Sequence, residues 1–153
     1  MENVSTSVTV SSRLEVSPGE LWAQVASAEG VNYEMGPWLG FEPPEGPDLL
    51  EAAASGEVLN LKVKGPLGLP LGHYPLHLVR FEEGRGFLEQ TRMLPFLIWQ
   101  HERRIEPDGD GSLITDRLGW RWRARFLDPF FRVGTRAFFR HRHRKLRSRF
   151  GPD

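Results

Sequence analysis

Residues 111 to 126 have the sequence GSLITDRLGWRWRARF, in which apolar and polar residues alternate. One face of this stretch consists of Ile114, Asp116, Leu118, Trp120, Trp122, Ala124 and Phe126. The other face consists of Thr115, Arg117, Gly119, Arg121, Arg123 and Arg125. Successive side chains of a strand point to opposite sides of a sheet, so this period of two predicts a strand with one dry face and one face in water.

A tight turn joins this strand to the one before it. Asp108-Gly109-Asp110-Gly111 contains two Asp-Gly pairs, which are typical of a β-hairpin turn. Placing Pro107 opposite Ser112 gives a register that keeps apolar partners together. A slip by one residue would move every side chain to the other face. The predicted pairs are Ile105 with Ile114, Arg103 with Asp116, His101 with Leu118, and Trp99 with Trp120.

The remaining elements follow from similar patterns. Alternation from Val8 to Val16 predicts a first strand. Ser17-Pro18-Gly19-Glu20 is a capping box, which predicts a helix from about Pro18 to Ala28, and a second short helix is expected from Val31 to Met35. Further strands are expected at residues 74–81 and at three other stretches, 59–64, 87–94 and 97–105.

Two segments complete the chain. Residues 40–56 are rich in Gly, Pro and Glu and predict a loop or lid. Asp128-Pro129 predicts the start of a long helix that ends near Phe150, with Asp128 as its N-cap. The predicted order is therefore a strand, two helices, several antiparallel strands and a long helix.

Length and composition favour one domain over residues 1–153. The 153 residues are 39% hydrophobic and 26% charged, as in an ordinary globular chain. The absence of cysteine excludes disulfides, thiol nucleophiles and zinc–thiolate sites. No apolar run approaches the roughly 20 residues that span a bilayer, and residues 1–12 lack the plan of a signal peptide. We therefore expect a cytoplasmic protein.

A sheet with one apolar face requires an element that covers it, and the terminal helix is the only predicted element of sufficient length. The sequence thus predicts an α+β fold. A curved antiparallel sheet of about six to seven strands wraps around the C-terminal helix, and two short helices follow the first strand. Large aromatic residues on the dry face would line the space between sheet and helix.

Four stretches of the chain resemble the START/polyketide-cyclase superfamily, also called SRPBCC, whose members have the helix-grip fold. They are residues 12–22 (SRLEVSPGELW), 99–105 (WQHERRI), 110–118 (DGSLITDRL) and 139–146 (FRHRHRKL). The resemblance covers essentially the whole chain. It implies a hydrophobic cavity for lipids, polyketides or other apolar metabolites.

The predicted cross-strand pair of Arg103 and Asp116 has two interpretations. It orients a ligand carbonyl or hydroxyl inside the cavity, or it is a structural ion pair. His101 on the same strand is a candidate general acid or base, or a structural histidine. Trp99, Trp120 and Trp122, with Leu118, are candidates for the ligand-binding wall or for the ordinary core.

On the terminal helix, a turn of about 100° per residue places several side chains on one stripe. They are Phe130, Gly134, Ala137, Phe138, His141 and Lys145. We expect Gly134 and Phe138 to border the ligand. His141 is a candidate for a polar contact to the ligand or for a proton transfer, and the alternative is a bond to a backbone carbonyl.

The charges of the chain are segregated although their sum is zero. Residues 117–153 carry 12 basic and two acidic side chains, whereas residues 1–116 carry eight basic and 18 acidic ones. The basic helix is a candidate for weak contact with an anionic membrane or with a protein, or it is simply a solvated face. Nucleic acid is not expected, because a domain that binds it usually has a net basic charge.

Three functions remain open at this stage. The first is a binding module for a hydrophobic small molecule, as monomer or homodimer. The second is a cyclase or dehydratase in which His101, Asp116 or His141 moves a proton. The third is a partner of membranes or proteins through the basic helix. No metal or other cofactor is expected, because no metal motif, catalytic triad or phosphate-binding loop is present in the sequence.

Overall fold

A computed structural model describes residues 3–42, 49–92 and 96–151. The strands are β1 (Thr6–Leu14), β2 (Gly40–Phe41), β3 (Leu59–Lys64), β4 (Pro70–Leu76), β5 (Leu78–Glu82), β6 (Gly86–Thr91), β7 (Phe96–Asp108) and β8 (Gly111–Trp122). The helices are α1 (Pro18–Ala26), α2 (Ala28–Met35), α3 (Leu49–Ala53) and α4 (Asp128–Phe150). Across these residues, no helix is long and apolar enough to cross a membrane.

The predicted α+β architecture is confirmed, and its strands divide between two sheets. A five-stranded antiparallel sheet has the order β1-β8-β7-β6-β5, and a three-stranded sheet has the order β2-β3-β4. The described residues thus form eight strands, where the sequence predicted about six to seven in one sheet. The predicted strand at 74–81 is interrupted at His77, so that β4 pairs with β3 while β5 pairs with β6.

The register of the β7–β8 hairpin is confirmed at every predicted pair, from Pro107 opposite Ser112 to Trp99 opposite Trp120. Strand β8 is shorter than the alternation of apolar and polar residues predicted. It ends at Trp122, and a short 3-10 turn follows at Arg125–Leu127. Phe126 is 80% exposed, so its predicted place on the dry face is wrong.

The start of α4 also differs from the prediction. Asp128 is the first residue of the helix and not its N-cap. Its carboxylate accepts hydrogen bonds from the hydroxyl of Thr6 and from the indole groups of Trp120 and Trp122. Asp128 therefore ties the beginning of α4 to β1 and β8, and the two indole N–H groups gain an acceptor near the edge of the core.

The face that α4 turns toward the sheet is rotated from the predicted stripe by about one residue. Its buried side chains are Thr135, Phe139, Arg142, His143 and Leu146. Phe130, predicted to lie inward, is 77% exposed. The prediction chose the stripe by its apolar residues, whereas acidic partners elsewhere in the fold permit a buried arginine and histidine.

The short helices begin at serine caps. The Oγ atom of Ser17 accepts from the backbone N–H of Glu20, as the capping box predicted. Ser27 caps α2 in the same way, so α1 ends at Ala26, before the predicted Ala28, and α2 begins at Ala28, before the predicted Val31. The predicted loop at 40–56 contains β2 and α3. Residues 43–48 lie outside the described residues, as do residues 93–95, which include the end of the predicted strand at 87–94.

Candidate functional site

A cavity of about 400 Å³ lies between the inner faces of the sheets and the N-terminal half of α4. Aromatic side chains supply much of its wall. Among them are Phe41, Tyr74, Phe96, Trp99, Phe131 and Phe138. Aliphatic side chains from α1, α2, α3 and β3 complete the apolar lining. The volume and the lining are typical of a small-molecule site.

The described part of the wall also contains a polar side. Its members are Glu89, His101, Arg103, Thr135 and Arg142. They come from three elements: β6, β7 and α4. All five are buried residues, so the cavity combines a broad apolar surface with one compact polar surface.

Arg103 is the centre of an ion-pair network behind this polar surface. Its Nε and Nη2 atoms lie 2.8 Å and 2.7 Å from the two carboxylate oxygens of Asp116. Its Nη1 atom donates to Glu34 on α2 at 2.9 Å. The guanidinium of arginine is planar and has several N–H donors, so it can bind two carboxylates at the same time. The network therefore fixes α2, β7 and β8 to one another.

Two histidines complete the coordination of Asp116. The Nε2 atom of His101 lies 2.7 Å from Oδ1, and the Nε2 atom of His143 lies 2.8 Å from Oδ2. The Nδ1 atom of His143 lies 2.8 Å from the hydroxyl of Ser12, which also accepts from Arg147. Asp116 thus connects β8 to β7, and through His143 to α4 and β1.

The network shifts the pKa values of its members. Burial alone would lower the pKa of His101, but the carboxylates of Asp116 and Glu89 raise it above its ordinary value. Burial would raise the pKa of Asp116, but Arg103, and after it His101, hold that pKa well below its usual range. We therefore treat Asp116 as ionised and His101 as readily protonated.

Two side chains of the cavity wall each have one buried atom without a hydrogen-bond partner in the described structure. The two atoms are Oε1 of Glu89 and Nε of Arg142. Each side chain also has one contact with a partner of opposite charge or polarity: Oε2 of Glu89 lies 3.7 Å from Nδ1 of His101, and Nη2 of Arg142 lies 3.4 Å from Glu34. Each of these two side chains therefore has one buried atom that a further hydrogen bond would satisfy.

The structure separates the predicted site residues into two groups. Trp99, His101, Arg103, Gly134 and Phe138 line the cavity. The other predicted residues are not part of its lining: Asp116, Leu118, Trp120, Trp122 and His141. Contact of the first group with a ligand stays a prediction.

The second group has other contacts. Leu118 and Trp120 are fully buried in the core beside Phe139. Nε2 of His141 lies 2.7 Å from the carbonyl oxygen of Gly36, which is the backbone alternative. Asp116 supports the wall from behind, because it holds Arg103 and His101.

Sequence reasoning missed Glu34, Glu89 and Arg142 as site residues. Glu89 could have been found, because it alternates with Phe87 and Thr91 on the buried face of β6. Glu34 gave no comparable signal, since its partner Arg103 is 69 residues away. No group of three or more His, Cys, Asp or Glu side chains in the described ranges has a geometry that could hold a metal ion.

Solved structures of several proteins share this fold. Ara h 8.0201 matches with a TM-score of 0.60 and 12% identity, covering 94% of this chain and 98% of that one. Protein CV1439 from Chromobacterium violaceum matches with a TM-score of 0.69 and 10% identity over 96% and 98% of the two chains. CalU16 from Micromonospora echinospora matches with a TM-score of 0.56 and 15% identity over 92% and 75%. At these identities, the likeness establishes the fold alone.

No curated protein sequence matches the chain. A family match, by contrast, covers nearly its whole length. Residues 12–150 match the family described as "Domain of unknown function (DUF8410)", and the chain therefore belongs to that family.

Proposed function

We propose that this chain is a helix-grip protein of the START/polyketide-cyclase type that holds one hydrophobic small molecule in its cavity. The observation that carries the proposal is the cavity of about 400 Å³ with its aromatic wall, which lies beneath α4. Protein interiors are normally packed to the density of organic crystals. A void of this size, lined by aromatic and aliphatic groups, favours occupancy by an apolar molecule.

The opening of the cavity supports exchange of such a molecule. Gly134 lines the cavity and is also exposed to solvent. A Cβ atom added at this position would meet nothing within 4 Å. We propose that the ligand enters and leaves beside the second turn of α4, where Gly134 places no side chain over the cavity.

Binding is favoured over catalysis by the position of His101. Its ring lies between two carboxylates, with Nε2 at 2.7 Å from Asp116 and Nδ1 at 3.7 Å from Glu89. Both ring nitrogens face carboxylates, so neither is placed to take a proton from a ligand or to give one to it. We therefore propose a carrier or sensor and not a cyclase.

A titration with the neutral fluorescent probe N-phenyl-1-naphthylamine tests the proposal. We expect saturable binding at about one probe per chain. Val63 lines the cavity from β3, and Val63→Trp should fill it and abolish binding. Val58→Trp is the matched control, because Val58 is exposed just before the same strand. Failure of the wild-type chain to bind the probe, or equal binding by both variants, would contradict the proposal.

One observation favours a second candidate function, which is contact with an anionic membrane. Phe126, Phe130 and Val133 are exposed at the start of α4. Arg132 and Arg136 lie on the same part of the helix. Apolar side chains surrounded by arginines are suited to a bilayer surface with anionic headgroups. Since Gly134 opens the cavity beside them, a membrane would be a source of the apolar ligand.

Sedimentation with vesicles distinguishes this candidate from an ordinary solvated helix. We expect binding to vesicles that contain phosphatidylglycerol, no binding to phosphatidylcholine alone, and weakening by salt. The double variant Phe130→Ser, Val133→Ser should lose most of the binding. Val79→Ser is the control, because Val79 is also exposed but lies on β5. Binding that ignores salt or survives the double substitution would rule the candidate out.

A further inference from the structure

Two side chains of the cavity wall that each have an unpartnered buried atom carry information about the ligand. Glu89 is 6% exposed and Arg142 is 7% exposed, and both line the cavity. Their free atoms, Oε1 and Nε, are buried side-chain atoms without a hydrogen-bond partner in the described structure. Buried polar atoms in folded proteins nearly always have a partner. A ligand with a matching polar group would supply it.

The two atoms require opposite hydrogen-bond roles. A carboxylate oxygen such as Oε1 of Glu89 accepts, and the guanidinium of Arg142 only donates. A ligand therefore needs a donor for Glu89 and an acceptor for Arg142. A hydroxyl or an amide has both, a carboxylate has no donor, and an ammonium group has no acceptor.

The buried charges around the cavity already balance. Glu34, Glu89 and Asp116 supply three carboxylates. Arg103, Arg142 and His101, whose pKa lies above its ordinary value, supply three basic groups. A charged ligand group would leave one buried charge without a counterpart, which is costly in a medium of low polarity.

His143 does not line the cavity. Its Nε2 and Nδ1 atoms lie 2.8 Å from Asp116 and from the hydroxyl of Ser12, so both ring nitrogens are engaged away from the ligand.

We propose that Glu89 and Arg142 form a subsite for the uncharged polar end of the ligand, so that the protein selects hydrophobic alcohols, phenols or amides over hydrophobic acids and amines. This inference rests on the proposed function and adds the chemical class of the ligand. The apolar body lies against the aromatic wall, and the polar end lies between β6 and α4. The guanidinium of Arg142 stays in place through its contact with the ring of Phe139, 5.0 Å from the ring centroid.

Equilibrium dialysis with four matched probes tests this subsite. The probes are naphthalene, 2-naphthol, 2-naphthoate and 2-naphthylmethylammonium, at about pH 6 so that His101 keeps its proton. Hydrogen bonds to charged groups favour 2-naphthol over naphthalene by about tenfold. Both charged probes should bind more weakly than 2-naphthol.

Substitution of Glu89 should reverse the preference for a neutral probe. Glu89→Gln removes one of the three buried carboxylates. The affinity for 2-naphthoate relative to that for 2-naphthol should therefore rise by about tenfold. Arg142→Met should remove the advantage of 2-naphthol over naphthalene. Thr91→Val is the control on the same strand, because Thr91 is buried, bonds to the carbonyl of Pro75 and does not line the cavity.

The outcomes separate the two proposals. Binding of naphthalene without a preference for 2-naphthol would overturn the subsite and leave the proposed function intact. A preference of the wild-type chain for 2-naphthoate or for the ammonium probe would also overturn the subsite and leave the proposed function intact. Failure of all four probes would overturn the proposed function, and the subsite with it. If a substitution prevents folding, the ranking by the wild-type chain decides alone.

Discussion

The C-terminal half of α4 is packed into the protein, whereas its N-terminal half covers a space. In the C-terminal half, His143 and Leu146 are fully buried. His143 contacts Asp116 and Ser12, and Leu146 belongs to a core cluster with Leu14 of β1. In the N-terminal half, Phe130 and Val133 are exposed, and the inner residues border the cavity.

This difference assigns two tasks to one helix. The C-terminal half attaches the helix by a closed polar network and a tight core, and it therefore contributes to stability. The N-terminal half is held at its start by Asp128 and leaves room beneath it for a ligand. The two tasks are separable, so substitutions in the two halves should affect different measurements.

The largest effect is expected at Asp116. Asp116→Ala would leave Arg103 with Glu34 as its remaining carboxylate and would deprive both histidines of their acceptor. Breaking a buried ion pair in this way costs about 3–5 kcal/mol. Urea denaturation measures the loss of unfolding free energy. Asp108→Ala is the control, because its ion pair with Arg13 is exposed and should be worth less than about 1 kcal/mol. Equal losses in the two variants would contradict the account.

The next effect compares the two halves of α4 directly. Leu146→Ala removes a fully buried side chain and should cost about 2–5 kcal/mol. Val133→Ala removes an exposed one and should change stability by less than about 0.5 kcal/mol. Thermal and urea unfolding measure both. Comparable destabilisation by the two substitutions would show that the N-terminal half is packed as firmly as the C-terminal half.

The pH dependence of stability tests the polar network more finely. Because the folded protein raises the pKa of His101 above 6.5, its contribution is complete below that pH and is lost as pH rises through the higher, folded value. Each unit of increase is worth about 1.4 kcal/mol. The lowered pKa of Asp116 acts in the opposite sense: its contribution is present above 3.8 and is lost as pH falls.

Denaturation of wild type and His101→Gln between about pH 6 and pH 9 measures the histidine contribution. We expect the wild-type chain to lose stability across this range and the variant to lose less. The same change of unfolding free energy with pH in both chains would show that His101 does not gain a proton on folding.

The smallest expected effect is an increase in stability. Gly134 lies within α4 with open space around it, so Gly134→Ala should stabilise the protein by about 0.5–1 kcal/mol. It should also slow the exchange of a bound probe, since Gly134 borders the opening. Gly30→Ala is the contrast, because its Cβ would lie 1.7 Å from the carbonyl oxygen of Gln24. Destabilisation by Gly134→Ala would show that the opening is not free.

Elements with local signals were predictable from the sequence. The Asp-Gly pairs and the alternation around Asp116 give the β7–β8 register, because a hairpin turn and one buried face leave a single consistent pairing. The serine cap at Ser17 and the length of the terminal helix were predictable for the same reason. Each depends on residues close together in the chain.

Features that depend on distant partners were not predictable in this way. The buried face of α4 includes Arg142 and His143, which are stable inside the protein because Glu34 and Asp116 lie opposite them. The buried face predicted from apolar residues alone therefore included Phe130, which is exposed, and was rotated from the observed buried face. The cavity itself is a consequence of packing, and residue types alone do not give its volume.

Native mass spectrometry of the purified chain, with extraction of any bound molecule, tests the central claim most directly. We expect one apolar molecule per wild-type chain, retained or taken up from a panel of fatty alcohols, sterols and polyketides, and none in Val63→Trp. A wild-type chain that retains nothing and binds no member of the panel would contradict the claim that the cavity under α4 is a ligand site.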